Sequence, residues 1–132
     1  MADATRPGSH LTAHLVFVVK YRRRALTNEI LDRCEAIIAD TADTLGVQVL
    51  EINGEADHIH LLVAYPPALS VATIAGRFKG ATSRVLRQEF GSHLNQFLWG
   101  DHLWTPSYFA ASTGGAPLDI IRRYIADQDR PQ

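Results

Sequence analysis

The segment Asp57-His58-Ile59-His60-Leu61-Leu62-Val63 constrains this chain more than any other, because polar and apolar residues alternate through most of it. Alternation with a period of two marks a half-buried strand, whose successive side chains point to opposite faces. Ile59, Leu61 and Val63 then share one face and anchor the strand in a core, while His58 and His60 share the other. Two imidazoles presented together on a stiff element make half of a metal site. Any two histidines on a half-exposed strand show the same pattern, so the pair needs further ligands before it carries a function. Structural zinc takes four ligands, mostly Cys and His, and the chain has one cysteine, Cys34, and no second such pair. An open site completed by an oxygen ligand and a substrate phosphate suits these residues better.

The apolar pattern around this segment organises one domain over residues 10–132, after a Pro-, Gly- and Ser-containing flexible leader over residues 1–9. Residues 11–20, with Leu15, Val16, Phe17, Val18 and Val19, read as a buried strand. From Thr27 the positions Ile30, Leu31, Cys34, Ile37, Ile38 and Leu45 recur at helical spacing, with Thr27 or Asn28 as N-cap and Gly46 as stop. Residues 47–52 and 58–65 form two strands joined through Asn53-Gly54-Glu55-Ala56-Asp57, a link short enough for a hairpin. Pro66 and Pro67 end the second of these, and Ser70 caps a helix with Val71, Ile74, Phe78, Ala81 and Val85 on its apolar face. Residues 104–113 read as a short strand that starts at Pro106 and stops at Gly114-Gly115. Pro117 then suits the first turn of a last helix with an apolar stripe of Leu118, Ile121 and Ile125. The order strand, helix, strand, strand, helix, strand, helix predicts an α+β fold. Its sheet is antiparallel and ferredoxin-like or RRM-like, with helices on one face and an added C-terminal helix carrying Tyr124.

Bulk properties narrow the function classes. No apolar run approaches a membrane span and no signal-type leader is present, so a cytoplasmic protein is expected, and a single cysteine agrees with a reducing compartment. A net charge of -1 excludes a uniformly basic surface. The distribution is more informative than the sum: Lys20, Arg22, Arg23 and Arg24 surround Tyr21, and Arg77, Lys79, Arg84 and Arg87 share one helix. A solvated face is the ordinary explanation for such charges, and phosphate contact is the alternative. Tyr124 and Gln128, four residues apart on the last helix, present a phenol and an amide to one side. Packing at a sheet edge would explain the same pair.

Taken together, several ordered landmarks resemble the TnpA-type, single-tyrosine HUH transposases of small insertion sequences, the IS200/IS605 group. They are Lys20-Tyr21-Arg22-Arg23, Asp57-His58-Ile59-His60-Leu61-Leu62, Lys79-Gly80, Leu103-Trp104-Thr105-Pro106-Ser107-Tyr108-Phe109 and Tyr124-Ile125-Ala126-Asp127-Gln128. The resemblance implies a metal-dependent single-strand DNA endonuclease and strand transferase. In that reading His58, His60 and Gln128 hold Mg2+ or Mn2+, and Tyr124 is the nucleophile that forms a 5′-phosphotyrosine. The implied partners are single-stranded DNA hairpins at transposon ends and a second copy of the chain, whose tyrosine helix acts in trans in some members; no membrane is involved. Lys20, Tyr21, Arg22, Arg23, Arg77, Lys79, Arg84 and Arg87 are the candidate DNA contacts, with Tyr21 suited to stacking on an unpaired base.

Tyr108 is the rival nucleophile, and Tyr65 reads as packing. His10, His14, His93 and His102 have no partner at ligand spacing and read as structural or solvated. Two other functions fit the same fold: a nucleic-acid-binding module without chemistry, and a metal phosphoesterase that uses water.

Overall fold

The computed structural model describes residues 10–112 and 118–128. The leader, the Gly114-Gly115 turn and Pro117 lie outside the described residues. Four strands form one antiparallel sheet: β1 (Leu11–Val18), β2 (Gln48–Gly54), β3 (His58–Tyr65) and β4 (Phe109–Ser112), in the order β2-β3-β1-β4. With α1 (Asn28–Leu45) between β1 and β2, and α2 (Val71–Glu89) between β3 and β4, this is the expected ferredoxin-like arrangement. Two elements add to the sequence reading, a 3-10 turn over Lys20–Arg22 and a one-turn helix α3 (Gly91–Leu94). The last helix is α4 (Leu118–Asp127).

Local chemistry sets the helix ends. Thr27 Oγ1 accepts from the Ile30 amide at 3.1 Å and Ser70 Oγ from the Thr73 amide at 3.1 Å, each satisfying an orphan donor of a first turn. Gly46, at φ 75°, ends α1 in the left-handed conformation that only glycine adopts without penalty. Ile30, Cys34, Ile37, Ile38 and Ala42 of α1, with Ile74, Ala75, Phe78 and Leu86 of α2, bury one face of the sheet. That face carries Ala13, Leu15 and Phe17 of β1 and Ile59, Leu61 and Val63 of β3.

The opposite face is where the structure adds to the expectation of helices on one side. Here Val16 and Val18 of β1 form a second, smaller cluster with Ile121, and Phe109, Tyr124 and Ile125 pack around it. Thus α4 covers the sheet face that α1 and α2 leave free. The strand expected over residues 104–113 is broken in two. Trp104 forms an isolated bridge to Val19, and regular pairing with β1 resumes only at Phe109. Between them Lys79 of α2 donates to the carbonyls of Thr105, Pro106 and Ser107 at 2.7, 3.2 and 3.2 Å, so the chain bends around an ammonium group instead of continuing the ladder. The Trp104 indole N–H donates to Thr82 Oγ1 at 2.8 Å, which satisfies a buried donor and fixes this segment against α2.

No helix among the described residues is long and apolar enough to cross a membrane. Cys34 is buried in α1, and burial, helped by the charge of Glu35, pushes its thiol up to about 12. The thiolate is the reactive form, so alkylation by iodoacetamide at pH 8 should run about 100-fold or more slower in the native protein than in the urea-unfolded chain. Mass spectrometry of timed samples checks this, and equal rates would place Cys34 outside the core.

Candidate active site on the second sheet face

Strand register places the two histidines. Val18 pairs with His58 and Val16 with His60 across the β1–β3 ladder, and directly opposed residues share a face. His58 and His60 therefore stand on the face that α4 packs against, as the alternation in the sequence implied, and Ile59 between them is buried on the helical side.

Each histidine has a neighbour that defines its state. Asp57, only 5% exposed, takes His58 Nδ1 on one carboxylate oxygen at 2.8 Å and Arg22 Nε on the other at 2.8 Å. Burial pushes the Asp57 carboxyl up, but the hydrogen bonds from Arg22 and His58, with their charges, outweigh it and hold it below the usual carboxylate range. An ionised carboxylate on Nδ1 favours a proton there and leaves Nε2 of His58 with a free lone pair, the usual support for a metal-ligating imidazole. His60 lies 3.0 Å from His14 (Nε2 to Nδ1). Burial and then the nearby His14 lower its pKa, Glu51 pulls the other way, and His58 adds a smaller push down, which together favour the neutral imidazole. The sequence reading that His14 has no partner is corrected here: residues 46 apart meet because β1 and β3 are adjacent and antiparallel.

On α4 the Tyr124 ring rests on Phe109 at 5.7 Å between centroids, and its hydroxyl shares a 2.8 Å hydrogen bond with Ser107 Oγ. His60, Val16 and Phe109 form one row across β3, β1 and β4. With strands about 4.8 Å apart, the residue under the Tyr124 ring stands roughly 10 Å from His60. Tyrosine and histidine pair thus share a face, with the phenol parked on Ser107. Gln128, just past the end of α4, is 8% exposed; its Nε2 donates to the Tyr124 carbonyl at 3.2 Å, and its Oε1 is buried without a hydrogen-bond partner among the described residues. Tyr108 goes to the other side of the sheet, edge-on to Phe17 in the main core, and Tyr65 is buried there too. His93 is structural, donating from Nε2 to the Ala25 carbonyl at 3.0 Å. Ser107 had no signal in the sequence beyond lying beside Tyr108.

The proposed DNA contacts divide. Lys20, Tyr21 and Arg23 stay together at the end of β1, with Lys20 Nζ 5.6 Å and Arg23 Cζ 6.0 Å from the Tyr21 ring centre. Tyr21 and Arg22 both adopt positive φ, 58° and 56°. This left-handed conformation costs a non-glycine residue about 1–2 kcal/mol, and the Arg22–Asp57 ion pair helps to hold it. Lys79 Nζ lies within hydrogen-bonding distance of three backbone carbonyls, so its ammonium is engaged inside the protein. Arg77, Arg84 and Arg87 ride on α2, across the sheet from the histidines, and Arg87 donates to Asn95 Oδ1 at 2.8 Å.

A family model described as "Transposase IS200 like" matches residues 8–128. The chain belongs to the IS200-like transposase family. The ISDra2 transposase TnpA of Deinococcus radiodurans is 32% identical to this transposase over 118 residues, covering 89% of this chain and 84% of that one. The transposase for insertion sequence element IS200 of Salmonella typhimurium LT2 is 33% identical over 115 residues, covering 87% and 74%. Among solved structures, a Deinococcus radiodurans R1 protein described as a candidate transposase superposes with a TM-score of 0.82 at 31% identity, covering 90% of this chain and 91% of that one. A REP-associated tyrosine transposase bound to a REP hairpin shares the fold at a TM-score of 0.59 and 11% identity, covering 87% and 62%.

The Asp57 bridge in this transposase yields a test. Replacing Asp57 by Asn should lower stability to urea by about 1–3 kcal/mol at pH 7, since two charge-assisted hydrogen bonds to a buried carboxylate are lost. Because the folded carboxyl lies below its unfolded value near 3.9, the difference should be complete above about pH 5 and shrink as pH falls through the lower folded value. A difference that stays constant down to about pH 2.5 would show that the carboxylate charge is not its source.

Proposed function

We propose that this transposase cleaves single-stranded DNA beside hairpins at the ends of its element and transfers strands through a covalent 5′-phosphotyrosine on Tyr124. The observation that carries this reading is the packing of α4, with Tyr124 and Gln128, on the sheet face that presents His58 and His60. The rival Tyr108 is turned into the main core.

The donor set fits Mg2+ or Mn2+. Gln128 Oε1 is a buried acceptor without a partner among the described residues, His58 is oriented by Asp57, and burial lowers the His60 pKa. No group of three His, Cys, Asp or Glu side chains suited to a metal occurs among the described residues, so the amide oxygen would be the third protein ligand. Binding through His60 Nε2 would displace its contact with His14. When bound, the ion would neutralise and polarise the scissile phosphate.

The rest falls to the chain's own groups. An unperturbed phenol has a pKa near 10 and attacks poorly at neutral pH, so its proton must pass to solvent water as the bond forms. Tyr124 Oη exchanges Ser107 for the phosphate and attacks phosphorus; the bond to the 3′-oxygen breaks, and that oxygen leaves as a hydroxyl after taking a proton from solvent. The phosphotyrosyl ester retains the energy of the broken diester, so another 3′-hydroxyl can displace the phenol and join strands without ATP. The phenol has to travel from Phe109 to the histidines, and among the described residues α4 is held by a small apolar cluster and the Tyr124–Ser107 hydrogen bond. A homodimer in which α4 serves the partner's histidines meets the same requirement.

The test is incubation with labelled hairpin DNA from the element's ends, with and without Mg2+ or Mn2+, followed by denaturing electrophoresis. A metal-dependent covalent adduct is expected, absent in Tyr124→Phe and reduced about 100-fold or more in His58→Ala or His60→Ala. Cleavage that survives Tyr124→Phe would identify water as the nucleophile, and binding without cleavage a recognition module. For action in trans, a mixture of His58→Ala and Tyr124→Phe chains should restore adduct that neither forms alone; no restoration would assign the helix to its own subunit.

A further inference from the structure

A cleft of about 440 Å³ lies between the 3-10 turn that follows β1 and the segment that follows α3. Its volume lies within the range of small-ligand sites and is too small to admit a duplex. Lys20, Tyr21 and Arg23 line it from the first segment, and Gln96, Trp99 and His102 are among its lining residues from the second. Three observations point to the chemistry of its occupant.

First, Trp99 is 87% exposed, the most exposed large apolar side chain among the described residues. Its backbone is nevertheless anchored: Leu98 beneath it is buried, the His102 amide donates to the Trp99 carbonyl at 3.2 Å, and Arg87 holds Asn95 from α2. An indole held in water on a fixed turn contributes little to the core and is available to a flat partner. Second, no carboxylate among the described residues lines the cleft, whereas Lys20 and Arg23 both line it. Aromatic rings beside cations, without acids, match a base and its phosphate. Third, Tyr21 is positioned by consecutive positive-φ residues braced through Arg22 to Asp57, and Asp57 also holds His58. The cleft and the histidine pair are thereby joined by a short, stiff connection.

We infer that this cleft binds one unpaired nucleotide of the DNA strand, with the base stacked on Trp99 and Tyr21 and the adjoining phosphate on Lys20 and Arg23. The bound nucleotide sets the register of the strand relative to His58. This rests on the single-strand DNA reading above and adds Trp99 and Gln96, which the sequence did not single out, and His102, which it read as structural or solvated. In a duplex the base faces are already stacked, so the cleft selects single strands.

Binding in EDTA, where no metal-dependent cleavage proceeds, tests the cleft apart from the chemistry. The probe is a fluorescein-labelled twelve-nucleotide single strand containing 2-aminopurine, compared with its duplex. The expected result is preference for the single strand, quenching of Trp fluorescence on binding, and affinity weakened about tenfold or more by Trp99→Ala but largely kept by Trp99→Phe. Replacing Lys20 and Arg23 together by Gln should lower the slope of log K against log salt by about 1.4. Unchanged affinity in Trp99→Ala, or equal binding of duplex without Trp quenching, would overturn the inference. Because Trp99 is solvent-exposed, its replacement leaves the core intact. Adduct formation with normal cleavage position in Trp99→Ala would sink the cleft and leave the phosphotyrosine reading standing. Trp99-dependent binding with no adduct would do the reverse.

Discussion

Pairing of β1 with β3 at the centre of the sheet is the constraint on which the rest depends. Its register sets Val16 against His60 and Val18 against His58, so the histidines share a face with the valines that seat α4. The alternate residues of both strands enter the main core. A slip of one residue would turn Ile59 and Leu61 outward and bury two imidazoles, a cost that fixes the register strongly. A core requirement thus determines the geometry of the candidate site.

Asp57 links that frame to the surface. It sits at the hairpin that enters β3, where the Val19 amide donates to its carbonyl at 2.9 Å, and its carboxylate divides between His58 and Arg22. A single buried charge therefore orients an imidazole and steadies a turn with two left-handed residues. Lys79 has a comparable role on the other side of β1. Burial depresses its pKa, and its ammonium gathers three carbonyls into the bend that brings Ser107 to the Tyr124 hydroxyl. Each reaches a group distant in sequence, Asp57 the Arg22 side chain and Lys79 the carbonyls of residues 105–107.

Elements whose signal is local were legible in the sequence. The caps at Thr27 and Ser70, the stop at Gly46 and the alternation through β3 follow from hydrogen bonding and periodicity within a few residues. The order of elements carried the ferredoxin-like topology. The short helix α3 and the split between Trp104 and Phe109 were not legible, because one depends on a single turn and the other on a lysine from α2. Charge along a helix shows where cations lie in sequence, not which of them, like Lys79, also hold backbone carbonyls.

By itself, then, the sequence determined which residues share a strand face or a helix face, since those periods are properties of the backbone. It singled out His58, His60, Tyr124 and Gln128, and with the other landmarks it marked the family. Only the tertiary structure decided that α4 lies across the sheet from α1 and α2, that His14 reaches His60, and that Lys79 holds backbone carbonyls. It also left Gln128 Oε1 buried without a partner among the described residues and set Trp99 beside Tyr21 at one cleft. These contacts are set by how helices pack on the two faces of one sheet and bring distant segments together, and no local pattern encodes them.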